Sequence, residues 1–421
     1  MNAPEMISMG CRLNIAESET LRQNLAANNI DGDNLIIVNS CAVTNEAVRQ
    51  TRQAIRRAKK DNPEKNIIVT GCAAQVDPAM FADMPETSAV VGNSDKYDAA
   101  NFKLGLQSNR PDIRVSDIMR ITETAPHMVS SFADRSRAFV EIQNGCDHRC
   151  TFCIIPFGRG NSRSVPAGLI VDQVQALVDK GFQEVVLTGV DVTSYGPDLP
   201  GEPTLGMLIE RILKHVPELP RLRLSSLDGI EIDDRLFDLL TGEARLMPHV
   251  HLSLQSGDNM ILKRMKRRHS RDQAIALVER LKSKRPEIVI GADIIAGFPT
   301  EDEAMFANSL SIIDQCDIVH GHIFPYSPKQ GTPAAKMPQV DGQMIKQRAK
   351  ILREAVSRRA RSWRHSLVGS RQNILAEISG DTGYSENFAR VRFDGSANKG
   401  QIVPVEIIDV QDKQLIGRVL A

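Results

Sequence analysis

The chain has 421 residues, 42% apolar and 25% charged, which is ample for two or three globular domains and excludes a disordered or fibrous protein. No apolar run approaches the ~20 residues of a membrane helix, and Met1-Asn2-Ala3-Pro4-Glu5 has neither the basic start nor the apolar stretch of a secretory signal, so a cytoplasmic protein is expected. The formal charge of zero conceals segregation: residues 46–60, 263–271 and 346–364 hold 20 of the 52 Lys and Arg side chains and only the acids Glu46 and Glu354, which favours a polyanionic partner such as nucleic acid.

In chain order, 34–38 and 66–69 are short β-branched runs leading towards Cys41 and Cys72, and 45–60 between them reads as a polar helix stopped at Asp61-Asn62-Pro63. The alternation predicts a small parallel α/β domain over 1–105, with ligands gathering at the carboxyl ends of its strands, where Cys41 and Cys72 stand. Residues 106–136 are polar, lack periodic apolar positions and read as a linker. Six strands are predicted within 137–345, at 138–143, 184–188, 221–225, 249–254, 288–295 and 318–324, with helical stretches between them. Six repeats fall short of the eight that close a full barrel, so a partial six-fold (βα) barrel is expected. Residues 346–364 form a basic helix with Ile351, Leu352, Ala355 and Val356 as its apolar stripe. The tail, 365–421, has short strands at 372–378, 389–393, 402–410 and 415–419 between Gly, Asp and Asn, and reads as a small antiparallel β-barrel.

Cysteines stand at 11, 41, 72, 146, 150, 153 and 316, an odd count that argues against a disulfide framework. Cys146, Cys150 and Cys153 place three thiolates on one loop. On a 4Fe–4S cluster three cysteines leave one iron open to a further ligand. A zinc knuckle is the alternative, but zinc sites want four protein ligands, and His148, the only nearby candidate, lies between two of the cysteines. Cys316 falls in an apolar-periodic stretch and reads as core.

The pattern Cys-x-x-x-Cys-x-aromatic-Cys after the first strand of a six-fold (βα) barrel resembles the radical S-adenosylmethionine superfamily. The resemblance implies that Cys146, Cys150 and Cys153 hold a 4Fe–4S cluster whose open iron binds S-adenosylmethionine and cleaves it to a 5′-deoxyadenosyl radical. Phe152 is the motif aromatic. Thr188 and Gly189 fall where the superfamily has its glycine-rich motif, although Leu187-Thr188-Gly189-Val190-Asp191 departs from the usual Gly-Gly-Glu. Ser226, Gln255, Asp293, Gly297 and Phe298 are the further cofactor contacts implied, the last three in a fifth-strand motif, 291–301, that packs the adenine.

The flanks Gly10-Cys11-Arg12-Leu13-Asn14, Asn39-Ser40-Cys41-Ala42-Val43-Thr44 and Thr70-Gly71-Cys72-Ala73-Ala74-Gln75 resemble the N-terminal domain of the methylthiotransferase family. That family holds a second, auxiliary 4Fe–4S cluster on these cysteines. Its order of parts covers nearly the whole chain, ending in a tail similar to the RNA-binding TRAM β-barrel. Family members modify isopentenylated adenosine in tRNA, threonylcarbamoylated adenosine in tRNA, or an aspartate of a ribosomal protein, and the loop residues look most like the threonylcarbamoyladenosine enzymes. The resemblance then implies methylthiolation of the adenine 2-position beside the anticodon with two S-adenosylmethionine per turnover, one methylating sulfur of the auxiliary cluster and one cleaved to the radical. The implied partners are a tRNA anticodon stem-loop and a flavodoxin-like or ferredoxin-like electron donor, with the enzyme a monomer. RNA contacts are expected from Lys350, Arg353, Arg358, Arg359 and Arg361 on the basic helix, and from Tyr384, Phe388 and Arg390 in the tail. A non-enzymatic iron–sulfur RNA-binding protein and a radical enzyme acting on protein are the rival classes.

Overall fold

The computed structural model describes residues 3–103, 111–122 and 135–420. The N-terminal sheet is wholly parallel, in the order Glu5–Ser8, Leu35–Ser40, Asn66–Gly71, Ala89–Val91 and Asp112–Arg114. Its inner strands are apolar on both faces because helices cover both. Ile36, Val38, Ile67 and Val69 pack with Ile55 of the helix Asn45–Asp61, while Ile37 and Ile68 pack with Leu21 and Leu25 of the helix Arg12–Ala27. The helix Asn45–Asp61 starts where the Thr44 hydroxyl accepts the Ala47 N–H.

The fifth strand corrects the expected linker. Asp112–Arg114 pairs with Ala89–Val91 and belongs to the sheet, so this domain runs past residue 105. As an edge strand with one covered side it is polar, and hydrophobic periodicity does not reveal it. The rest of the expected linker at 106–110 and 123–134 lies outside the described residues.

The central domain has the six expected strands, Ala138–Glu141, Glu184–Thr188, Arg221–Leu224, His249–Gln255, Val289–Ala296 and Ile318–Pro325. The first three form one parallel sheet and the last three another, and the bridges Leu222↔Leu246 and Leu227↔Leu252 join them. The result is an open arc of six. Helices such as Leu205–His215 turn apolar positions, here Leu208, Ile209 and Ile212, onto its outer side. Cys316, which ends the helix Glu303–Gln315, is fully buried in this core, as expected. The N-terminal helix Arg12–Ala27 packs on the first strand of the arc, and the helix Gly342–Ser366 on the last. At the latter contact Gly321 leaves room for Val356: a Cβ there would lie 2.6 Å from its Cγ2.

The tail closes a five-stranded barrel, Arg371–Ala376, Thr382–Tyr384, Arg390–Phe393, Gln414–Val419 and Ile402–Gln411, around Ile374, Val391, Phe393, Val405, Ile407 and Leu415. Thr382–Tyr384 is the strand missed by periodicity, being too short to show alternation. One pair, Arg390–Phe393 with Gln414–Val419, is parallel where an antiparallel barrel was expected. The barrel is tied to the arc by Arg221, which donates to Asn373 O, and Arg223, which donates to Glu386 O. Among the described residues no helix is long and apolar enough to cross a membrane.

Candidate functional site

Cys11, Cys41 and Cys72 follow three neighbouring parallel strands, and the register of those strands brings their loops together. Gly10, at φ +89°, precedes Cys11, and a Cβ at Gly10 would stand 2.7 Å from Cβ and Sγ of Cys41. Only glycine meets both demands. Burial pushes the Cys41 thiol up to about 12, with the nearby Cys72 and Cys11 adding repulsion. Cys11 is raised by burial and by Cys72, against the pull of Arg159. Arg159, fully buried, aims its Nε at Cys72 Sγ from 3.1 Å, and Asn93 Nδ2 donates to the same sulfur at 3.8 Å.

The Arg159 guanidinium is itself held from both domains. Its Nη1 donates to Glu17 Oε1 at 2.7 Å and Asn144 Oδ1 at 3.0 Å, and its Nη2 to Asn14 Oδ1 at 2.7 Å and Glu17 Oε2 at 3.0 Å. Lys96 Nζ reaches Glu17 Oε2 at 2.9 Å.

Cys146, Cys150 and Cys153 lie on the loop beyond Gln143–Asn144. Cys153 Sγ accepts the Ile155 N–H at 3.5 Å, and Arg267 Nη1 approaches Cys150 Sγ at 3.8 Å while its Nη2 binds Asp228 and Ser253 O. The Cys146 thiol faces Asp191 Oδ2 at 3.9 Å. Burial pushes Cys153 up to about 12, and burial, Asp191 and the other two thiols raise Cys146. The chain that leaves Cys153 brings Arg159 to Cys72, which ties the two sets together. Across the same loop, a Cβ on Gly158 would lie 3.3 Å from Cys72 Cβ.

Both sets suit thiolate-bound clusters. Each gathers three cysteines, with N–H donors from Arg159 and Asn93 turned towards Cys72, from Arg267 towards Cys150 and from Ile155 towards Cys153, and Cys316 is too deep in the core to be a fourth. That donor set favours a cluster with an iron left open over a closed zinc site.

The expected cofactor contacts divide into two groups. Thr188, Gly189, Ser226 and Gln255 stand at the carboxyl ends of successive strands, the end that carries the Cys146 loop. Gln143 Oε1 accepts the N–H groups of Val190 and Asp191, which fixes the loop after Gly189. Gln255 has φ +68°, and the buried Ser225 Oγ beside Ser226 has no hydrogen-bond partner, an opening for a polar ligand. By contrast Phe298 is fully buried, edge-on to Phe152 at 6.3 Å and to Tyr326 at 5.6 Å. Gly297, at φ +71°, is close against Ile345 of the helix Gly342–Ser366, with 2.6 Å to a built Cβ. Asp293 accepts from His251 Nε2 at 3.0 Å and His322 Nδ1 at 3.1 Å, bonds that hold its carboxyl well below the usual range despite burial.

Sequence reasoning missed the polar lining of the arc: His249 and His251, His320 and His322, Arg221 and Arg223. Their i, i+2 spacing places each pair on one strand face, a signal available in the sequence. Tyr384 and Phe388, expected to contact RNA, are turned towards the arc. Phe388, at φ +68°, stacks on Tyr384 at 4.8 Å, lies 5.1 Å from His249, and has the guanidiniums of Arg12, Arg137 and Arg223 at 5.5, 5.2 and 4.9 Å from its ring centre. The cause is a closed loop in which Ser385 O accepts the Phe388 N–H and Ser385 Oγ accepts the Ala389 N–H. Arg390 stays exposed.

The basic segments also divide. On the helix Gly342–Ser366, Arg353 donates to Ile323 O and Arg359 is paired with Asp317, so these two are structural, whereas Lys350, Arg358 and Arg361 project from the surface. In 263–271, Arg264, Arg267, Arg268 and Arg271 bond to Thr300, Asp228, Glu231 and Gly257 O, so that run is not a free patch.

Residues 140–313 match the radical SAM superfamily model, and residues 5–92 match a family described as uncharacterized protein family UPF0004. The radical S-adenosylmethionine methyltransferase TsrM from Kitasatospora setae has a similar fold, with TM-score 0.55 at 14% identity over 77% of this chain and 69% of that one. Fold and site together define a radical S-adenosylmethionine protein with a second cysteine domain at its N-terminus. Over 97% of its length the chain is 51% identical to the threonylcarbamoyladenosine tRNA methylthiotransferase MtaB of Rickettsia prowazekii, covering 95% of that protein, and it is 32% identical to the same-named protein of Bacillus subtilis over 95% of its length and 92% of that one. The tRNA-2-methylthio-N(6)-dimethylallyladenosine synthase of Erythrobacter litoralis is 32% identical over 98% of this chain and 96% of that one. The chain belongs to the radical S-adenosylmethionine tRNA methylthiotransferase family.

Proposed function

We infer that the protein methylthiolates the adenine 2-position of N6-threonylcarbamoyladenosine beside the tRNA anticodon. The observation that carries this is the meeting of two three-cysteine sets, one from each domain, across the Arg159 loop, in a chain 51% identical over 97% of its length to a threonylcarbamoyladenosine tRNA methylthiotransferase. Cys146, Cys150 and Cys153 hold the radical cluster, and Cys11, Cys41 and Cys72 the auxiliary one. When bound, the two 4Fe–4S clusters and S-adenosylmethionine supply the sulfur, the methyl group and the hydrogen-abstracting radical.

The protein's own groups bind and orient. Thr188, Gly189, Ser226 and Gln255 border the cofactor beside the Cys146 loop, with Phe152 packed behind it and the Asp293, Gly297 and Phe298 segment supporting the barrel wall. Arg159 and Arg267 face the sulfurs of Cys72 and Cys150 and balance their charge. Lys350, Arg358, Arg361 and Arg390 offer positive charge to the phosphates of the anticodon stem-loop. We place the protein in the cytoplasm as a monomer that takes electrons from a flavodoxin-like or ferredoxin-like donor.

The test is mass spectrometry of tRNA nucleosides from cells with and without the protein. Loss of 2-methylthio-N6-threonylcarbamoyladenosine, with its precursor accumulating, is expected, and unchanged nucleosides overturn the reading. Reconstituted protein should hold about eight irons, falling to about four when Cys146, Cys150 and Cys153 become Ala. The Cys11, Cys41 and Cys72 triple Ala variant should still cleave S-adenosylmethionine but form no product.

A further inference from the structure

The first strands of the arc begin among guanidiniums, with Arg137, Arg221 and Arg223 gathered around Glu184. Arg223 Nε lies 2.9 Å from Glu184 Oε1, Arg137 lies 3.9 Å from Glu184 and from Glu377, and Arg221 lies 3.8 Å from Glu184 and 3.6 Å from Glu386. Arg12 joins this cluster from the first turn of the helix Arg12–Ala27, where burial and the repulsion of Arg137 and Arg223 outweigh the pull of Glu184 on its guanidinium. It is half-buried, and among the described residues it has no hydrogen bond and no ion pair. Its one polar contact is the face of Phe388, 5.5 Å from its guanidinium carbon.

A guanidinium drawn out of water beside like charges, with no carboxylate bonded to it, is unfavourable in the free protein. It suits a site where the ligand brings the anion. The planar fork of arginine matches a carboxylate in bidentate fashion, with a charge-assisted bond at each tine. Arg12 directly follows Cys11, so its side chain starts beside the auxiliary cysteine set and extends into the arc as far as the Phe388 ring.

The proposed substrate has one such anion. The threonylcarbamoyl arm on N6 ends in a carboxylate, and N6 and C2 share the Watson–Crick edge of adenine, separated by N1. A base whose C2 faces the Cys11 set leaves its N6 arm free to extend into the arc, where the tip of Arg12 lies against Phe388. The dimethylallyl arm named for the synthase relatives has no charge to offer. We propose that Arg12, backed by Arg137 and floored by Phe388 and Tyr384, is the receptor for the substrate carboxylate and selects threonylcarbamoyladenosine over adenosine and over apolar N6 substituents. The inference rests on the functional reading above.

The test is equilibrium binding of the full reconstituted chain to three anticodon stem-loops, bearing threonylcarbamoyladenosine, its neutral carboxamide, or unmodified adenosine. Wild type should bind the acid about 10- to 100-fold more tightly than the amide. Arg12→Gln should erase that difference and leave binding of the unmodified stem-loop unchanged, and Arg12→Lys should retain part of the preference. Equal binding of acid and amide by wild type, or a preference kept by Arg12→Gln, overturns the receptor. Should Arg12→Gln fail to fold or lose iron, the acid–amide comparison on wild type still decides. Methylthiolation of acid and amide at equal rates would keep the function and reject the receptor, while acid preference without any methylthiolation would do the reverse.

Discussion

Glu17→Gln is the most informative single change to the body of the protein. Glu17 is 1% exposed and is bonded to two buried cations, with contacts of 2.7 and 3.0 Å to Arg159 and 2.9 Å to Lys96. The amide keeps the shape and one acceptor but removes the charge, leaving Arg159 and Lys96 facing each other. Breaking a buried pair in this way costs about 3–5 kcal/mol, because the remaining charges stay buried without compensation. Asn14, Asn144 and Asn93 still accept from the two cations, which favours the lower end. Urea unfolding of the iron-free protein measures the loss, and adding Lys96→Met to Glu17→Gln should recover part of it by removing the uncompensated ammonium. The pH dependence has a defined sign. Although burial alone would raise it, Arg159 and Lys96 hold the Glu17 carboxyl down to about 2, so its contribution is present above its unfolded value near 4.5 and is lost as pH falls towards 2. Glu17→Gln should flatten that acid limb. A loss under about 1 kcal/mol, with no recovery from Lys96→Met, would refute the reasoning.

Gly10→Ala combines an unfavourable φ of +89° with a contact of 2.7 Å to Cys41, so iron content should fall from about eight to about four while S-adenosylmethionine cleavage survives. Retention of all the iron would show that the Cys11 loop can move aside. Changing Lys350, Arg358 and Arg361 to Gln should weaken tRNA binding and lower its logarithmic salt slope by roughly 0.7–0.9 per lost phosphate contact, read by titration at two or more salt concentrations. Arg359→Gln should instead reduce stability, through loss of its pair with Asp317. Burial, with His251 nearby, pushes His320 down to about 4, so it stays neutral in the folded protein while the unfolded chain takes up a proton below about 6.5. Stability should therefore fall between pH 6.5 and 4, and His320→Gln should reduce that slope in unfolding measured across the range.

Cysteine spacing and strand periodicity determine much of this protein without reference to the fold. Cys146, Cys150 and Cys153 are neighbours in the chain, and a loop of eight residues keeps them together whatever surrounds it. The six strands of the arc are legible because apolar β-branched runs mark where the chain is buried, and Cys41 and Cys72 announce themselves by following such runs. What the tertiary structure alone decides is which distant group answers each charge. Arg159, Glu17 and Lys96 are an ordinary cation, acid and cation in the sequence, 142 and 79 positions away from one another across Glu17, and nothing local says that they meet. Likewise Arg353 and Arg359 look like their neighbours Arg358 and Arg361 until packing against the last strand of the arc gives them Ile323 O and Asp317. Phe388 reads as one more RNA-contacting residue of the tail until the Ser385 loop turns it into the arc, and Asp112–Arg114 reads as linker until the edge of a sheet accepts it. Periodicity reports burial, which is a local property of one face. Pairing of charges and the direction of a loop depend on partners far along the chain, and only the assembled fold supplies them.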